Sequence, residues 1–363
     1  MSRRKYEGKI SVGRRVLIYL GRFFLWLILT VLVLVLGLYQ FLYLINKGPS
    51  NHFRDLFVVS AMESSAGGIL AQLYLSDEEI AEIQERNRTV ETTEITDVSL
   101  ITIESTDQSG SQPGSQGEDE VSFVYDDPDG DGIEIHDVHG RTYSGIMMIV
   151  YDPSRVVVSS IQNYTHGYHG WTIPQHVDNN GAVAGINGGK YEDTNGLGSG
   201  GWPEGIVISR GRVMNGNDGR SYGVYGFNED NIFVVGNMTA ATAMEMGIRD
   251  AVTFGPALVV NGNAVEYQGV GGGLNPRTAI GQRADGAVLM LVIEGRKSSS
   301  LGATMADLID IMLEYGAVNA ANLDGGMSST MYYQDEIIVN NATVRDIRPI
   351  PTAFVVLPLE GEE

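Results

Sequence analysis

Residues 275–296 read NPRTAIGQRADGAVLMLVIEGR. Within them Ala287 to Ile293 is an unbroken apolar run of strand length. Arg277 and Thr278 follow a Gly-rich turn that ends at Pro276, and Glu294 and Arg296 stand just past the strand. Strand ends with irregular turns present binding groups on a rigid scaffold. Working outward, short apolar runs recur between turns at Tyr143 to Val150, Arg155 to Ile161, Ala182 to Ile186, Gly205 to Ser209 and Ile232 to Val235. They continue at Ala257 to Val260, Ser329 to Tyr333 and Ala353 to Leu357. Helices are expected near Thr239 to Met246, ending at Gly247, and where Thr304 caps Leu308, Ile309, Met312 and Leu313 before Gly316. The pattern predicts an α+β fold with a large mixed β-sheet core and few helices, preceded by one transmembrane helix.

That helix is Phe23 to Ile45, a stretch without a charged residue. At 1.5 Å per residue it reaches about 34 Å, enough for a hydrocarbon core. Arg3, Arg4, Lys5, Lys9, Arg14, Arg15 and Arg22 precede it against the single acid Glu7, so residues 1–22 are expected to stay cytoplasmic. The remainder is expected outside, as a single-pass protein of the cell membrane. The stretch is longer than a cleavable signal core and ends without a small-residue cleavage site, so it reads as an uncleaved anchor. Residues 46–104 read as a membrane-proximal stem, with a capping box at Ser76 to Glu79 opening a short helix around Ile80 and Ile83. Residues 105–120, STDQSGSQPGSQGEDE, hold almost no apolar side chain and read as a flexible linker. The functional domain is expected over 121–360.

The formal net charge of −21 argues against a nucleic-acid partner. No cysteine is present, so neither disulfides nor thiolate chemistry is available. Forty-six glycines against a usual ~7% cluster at GINGGKY (185–191), GLGSGGWPEG (196–205), GVGGG (269–273) and LDGGMSS (323–329). Several backbones closing on one place in this way make anion cradles. Asn187, Asn322 and Asp324 stand at strand ends beside these turns. No Walker-type phosphate loop occurs.

Other motifs weigh less. Residues 127–132, DPDGDG, start like a calcium loop, but position twelve is Val138 where a bidentate glutamate is needed, so an acidic turn is expected. His166, His169 and His176 lack the helical spacing and intervening glutamate of a zinc motif. The sequence demands no cofactor. A calcium or magnesium ion held by Asp, Glu and backbone oxygens is the candidate metal, without a placed site. Trp171 and Trp202 suit either sugar stacking or packing.

The blocks INGGKY, WPEGIVISRGRV, TFGPALVVNG, NPRTAIGQRADGAVLMLVIEGR, GATMADLIDIMLEYGA and ANLDGGMSSTMYY, taken in order, resemble the phosphodiester glycosidase family. Its members include N-acetylglucosamine-1-phosphodiester α-N-acetylglucosaminidases and bacterial exopolysaccharide biosynthesis proteins. The resemblance implies hydrolysis of a sugar-1-phosphodiester in a cell-surface glycan. The leaving phosphate monoester is a stable anion and needs cations more than a strong acid, a role suited to Arg277 and Arg296. A carboxylate would stabilise the oxocarbenium-like carbon or activate water, with Asp324 the first candidate and Glu294 the second. Asn187, Asn322 and Thr278 would hold sugar hydroxyls or orient the charged groups, and the amides of Gly188, Gly189, Gly325 and Gly326 would line the pocket. The chain departs from the family pattern at Lys190-Tyr191, Glu294 and Met327. The competing reading is a non-catalytic module that binds phosphorylated glycan or teichoic acid within an envelope assembly system.

Overall fold

The computed structural model describes residues 12–359, apart from 64–66, 91, 104–126, 128–129, 166, 194–197 and 342–346. The expected linker, the domain start at Val121 and His166 lie outside the described residues. Helix α1 runs over Val12–Lys47 with nearly all its side chains exposed, extending the expected span at both ends. Three shorter helices follow, α2 (Asn51–Met62), α3 (Gly68–Gln72) and α4 (Asp77–Glu85), the last opened by the expected Ser76 capping box. The segment expected as a stem is not separate from the domain beyond it. Gln268 N–H donates to the Arg88 carbonyl and Val90 N–H to that of Glu266, while Thr96 and Val235 exchange two bonds. Residues 86–90 and 92–102 therefore strap along the domain surface.

The β-structure is divided among three sheets rather than gathered in one, and the pairings within each are antiparallel. The seven-stranded sheet has the order β1 (Ile133–His139), β2 (Ser144–Val150), β13 (Val288–Ile293), β12 (Arg277–Arg283), β14 (Ala317–Leu323), β10 (Ala257–Val260), β11 (Asn263–Ala264). A five-stranded sheet is ordered β16 (Glu336–Asn340), β15 (Thr330–Tyr333), β4 (Ala184–Asn187), β17 (Thr352–Val356), β3 (Val156–Ser160). The third is ordered β6 (Arg212–Asn215), β5 (Val207–Ser209), β9 (Ile248–Val252), β7 (Tyr222–Asn228), β8 (Phe233–Met238). Each apolar run expected to be a strand is one.

Period-two alternation explains the layers. Val288, Met290 and Val292 of β13 face a core shared with Phe227, Phe233 and Phe354 of the smaller sheets. Leu289, Leu291 and Ile293 face the other way, onto Leu308, Ile309 and Met312 of α7 (Met305–Glu314). Thus β13 is buried on both faces, which is why it reads as continuous apolar sequence. Thr304 caps α7 as expected, and α6 (Ala240–Glu245) falls within the expected span, with Thr239 as its cap. Helix α5 (Ile173–Asn180) has no counterpart in the expectations; Gly181 ends it in the left-handed conformation.

Candidate active site

Antiparallel register gathers the polar strand ends. Arg277 pairs with Ile293 and Thr278 with Leu323, so the start of β12, the exit of β13 toward Glu294 and the exit of β14 toward Asp324 share one edge. A cavity of about 380 Å³ opens there, lined by Asp324, Gly325, Gly326, Met327, Arg277, Arg296, Asn275, Phe254, Met305, Asp193, Arg348 and Glu63.

Asp324 is half-buried, and Gly325 N–H donates to its Oδ1 at 2.9 Å. Burial pushes its carboxyl up to about 6, against the lowering effects of the Ser328 hydroxyl, Arg348 and Gly325 N–H. Arg348 pairs with Asp193, and its guanidinium lies 5.3 Å from the Tyr191 ring centroid. The Tyr191 hydroxyl, raised well above its ordinary value by burial, sits 3.1 Å from Ser328 Oγ. Arg296 is exposed at the cavity and bonds Asn275 Oδ1 at 3.1 Å. Its φ of 57° lies in the left-handed region, an uncommon conformation for a residue with a Cβ.

Arg277 is buried and already engaged. It donates through Nε to the Ala303 carbonyl, and through Nη2 to Gly273 O and to Glu63 Oε2 at 2.7 Å. The Glu63 carboxylate also accepts from Asn275 Nδ2 at 2.6 Å and Gly273 N–H at 3.1 Å. The side chain of Glu63, just past the end of α2, thus occupies the end of the cavity that Arg277 and Asn275 line. A phosphate reaching Arg277 would have to displace it.

The other expected site residues divide clearly. Glu294 does not line the cavity; it pairs with Lys297 at 2.6 Å and accepts from Ser144 Oγ. Asn187 and Thr278 are fully buried and meet each other rather than the cavity. Asn187 Oδ1 accepts from Thr278 Oγ1 at 2.7 Å and from Thr330 N–H, while its Nδ2 holds the Asp324 carbonyl at 2.6 Å. Asn322 is buried and donates to Gly255 O. Gly188 and Gly189 do not line the cavity, since their N–H groups are spent on the Thr352 carbonyl and hydroxyl. A Cβ on Gly188 would stand 2.7 Å from Thr352 O, so close packing explains that glycine. Gly325 and Gly326 do line the cavity, but their N–H groups go to Asp324 and to Pro276 O. Sequence reasoning missed Glu63, Asp193, Asn275 and Arg348. Asn275 stood inside a motif already singled out; the others carry no local signal.

No group of three or more His, Cys, Asp and Glu poised to hold a metal occurs among the described residues. His176 is buried, 2.7 Å from Ser159 Oγ and 3.0 Å from Ile350 O, and burial pushes it down to about 4. Asp127 accepts from Gly130 and Gly132 N–H. Trp171 packs 5.3 Å from the His176 ring.

Residues 180–357 match the family model described as phosphodiester glycosidase. The chain is 34% identical over 120 residues to the SPbeta prophage-derived uncharacterized protein YomE of Bacillus subtilis (strain 168), covering 31% of this chain and only 19% of that protein's length. The fold is similar to the catalytic domain of zebrafish N-acetylglucosamine-1-phosphodiester alpha-N-acetylglucosaminidase, in a structure described as auto-inhibited by its pro-peptide. The TM-score is 0.52 at 19% identity, over 62% of this chain and 82% of that one.

Proposed function

From the premise that this chain belongs, through residues 180–357, to the phosphodiester glycosidase family, we propose that its cavity hydrolyses a sugar-1-phosphodiester in a cell-surface or secreted glycan. The observation that carries this reading is the convergence of the Asp324 carboxylate with the guanidinium groups of Arg277, Arg296 and Arg348 around one cavity. The departing phosphate monoester bears its charge toward these cations, with Arg296 the exposed one. Asp324, ionised, stabilises positive charge growing at the anomeric carbon or takes a proton from attacking water. Asn187 acts through Asp324 by fixing its carbonyl.

Helix α1 includes an 18-residue window of mean hydropathy 2.4, which supports its reading as a membrane anchor with the domain extracytoplasmic. Calcium or magnesium remains a candidate addition to the assay rather than a group with a site.

The test is release of free sugar from a panel of sugar-1-phosphodiesters by the full chain in detergent micelles, with and without calcium. Asp324→Asn and Arg296→Ala are each expected to cut the rate by about a hundredfold or more, about 2.7 kcal/mol of barrier. If no sugar is released while a phosphorylated glycan binds, and only the arginine substitution weakens that binding, the domain is a binding module.

A further inference from the structure

Helix α3 and the residue after it present Ile69, Leu70 and Leu73 to the outside, with Ile69 and Leu73 more than 60% exposed. Clusters of exposed branched aliphatic side chains mark a contact surface. What covers this one follows from its neighbour. The Tyr74 ring packs on α1, 5.4 Å from the Tyr39 centroid and 6.3 Å from that of Tyr43, and its hydroxyl donates to the Tyr39 carbonyl at 2.9 Å. Tyr39 lies eight residues before Lys47, about 12 Å deeper along the helix axis. Five residues after Tyr74, Glu79 pairs with Lys47 itself at 2.9 Å.

The segment from Leu73 to Glu79 therefore climbs beside α1 in step with its polarity. Tyr74 stands level with Tyr39 among the apolar turns of α1, Leu73 immediately precedes it, and Glu79, in the acidic first turn of α4, stands level with Lys47, the first charged residue past those turns. Tyrosines at the join are what a water–lipid boundary selects. We infer that Ile69, Leu70 and Leu73 form a docking surface for the lipid bilayer, a second membrane contact beside α1 that seats α3 in the outer interface. The inference rests on reading α1 as the membrane span. It has a consequence for the site: Glu63 lies six residues before Ile69, a reach of at most about 22 Å. The carboxylate bonded to Arg277 and Asn275 is thus tied close to the bilayer, and the cavity with it.

The absence of cysteine makes the test direct, because a single introduced thiol carries the probe. Full chains bearing Ile69→Cys, Leu73→Cys, Glu78→Cys or Leu34→Cys are spin-labelled and reconstituted in phosphatidylcholine vesicles. Collision rates with oxygen and with a water-soluble nickel chelate are then measured. Labels at 69 and 73 are expected to join 34 in favouring oxygen, with nickel collisions several-fold below those at 78. If 34 is in lipid while 69 and 73 match 78, the docking surface is wrong and the anchor stands. If 34 is itself open to nickel, the anchor reading falls and the docking surface with it.

Discussion

Replacing Glu63 by alanine tests whether the end of α2 holds the arginine-lined end of the cavity together and leaves an anion site there when removed. The Arg277 side chain is 8% exposed and that of Glu63 33% exposed, at 2.7 Å. Without the carboxylate, Arg277 keeps only carbonyl partners and stands beside Arg296, which shares the cavity. Breaking a fully buried pair costs about 3–5 kcal/mol. Water reaches Glu63, so a smaller loss of about 2 kcal/mol is expected, roughly 4–8 °C in Tm for a unit of this size. The vacated donors of Gly273, Asn275 and Arg277 then form an open anion site. Inorganic phosphate at about a hundred times its Kd would restore about 2.7 kcal/mol. The assay is thermal unfolding of the full chain in micelles, comparing wild type, Glu63→Gln and Glu63→Ala with phosphate against chloride at equal ionic strength. Phosphate is expected to raise the Tm of the alanine variant well beyond that of wild type, with glutamine between. A Glu63→Ala chain within about 0.5 kcal/mol of wild type, or one that phosphate stabilises no more than wild type, would refute the argument.

Asn187→Ala is expected to act on stability, since it strands buried partners on Thr278, Thr330 and Asp324, at a cost of about 3–5 kcal/mol by urea unfolding. A stable variant with a raised KM would make Asn187 a sugar ligand instead. The rate of sugar release is expected to rise with pH through about 6 as Asp324 ionises, and this limb should be missing from the residual activity of Asp324→Asn. Two groups whose ionisation burial opposes should also counteract each other in stability. His176 is depressed from 6.5 to about 4, so its contribution is full above pH 6.5 and lost as pH falls through about 4. Asp324 is raised from 3.8 to about 6, so its contribution is full below pH 3.8 and lost as pH rises through about 6. Each amounts to about 3 kcal/mol. Denaturant titrations should therefore show stability falling between pH 6.5 and 4 in Asp324→Asn and rising over that range in His176→Gln; flat profiles in both would sink the assignment.

The apolar spine of this protein is legible in its residues before any contact is known. Strands such as β13 and helices such as α7 announce themselves because solvent exclusion writes their periodicity and caps into neighbouring residues. Strands β12 and β14 were legible as motifs but not as strands, because each carries buried amides. Gln282 bonds Phe233 N–H and Asn231 O, and Asn319 accepts from Asn261 N–H, partners supplied only by tertiary contact. The same separation governs the site. Asp324 and Arg296 were visible at strand ends, and register alone brought them together. Glu63, 214 residues from Arg277, and Arg348 beside Asp193 and Tyr191 were assigned only by the folded chain. Tertiary structure also decided roles. It spent the Gly188 and Gly189 amides on Thr352, turned Asn187 into a brace and paired Glu294 with Lys297. Residue type limits which bonds a side chain can make; which of them it does make depends on partners that only the fold brings within 3 Å or so.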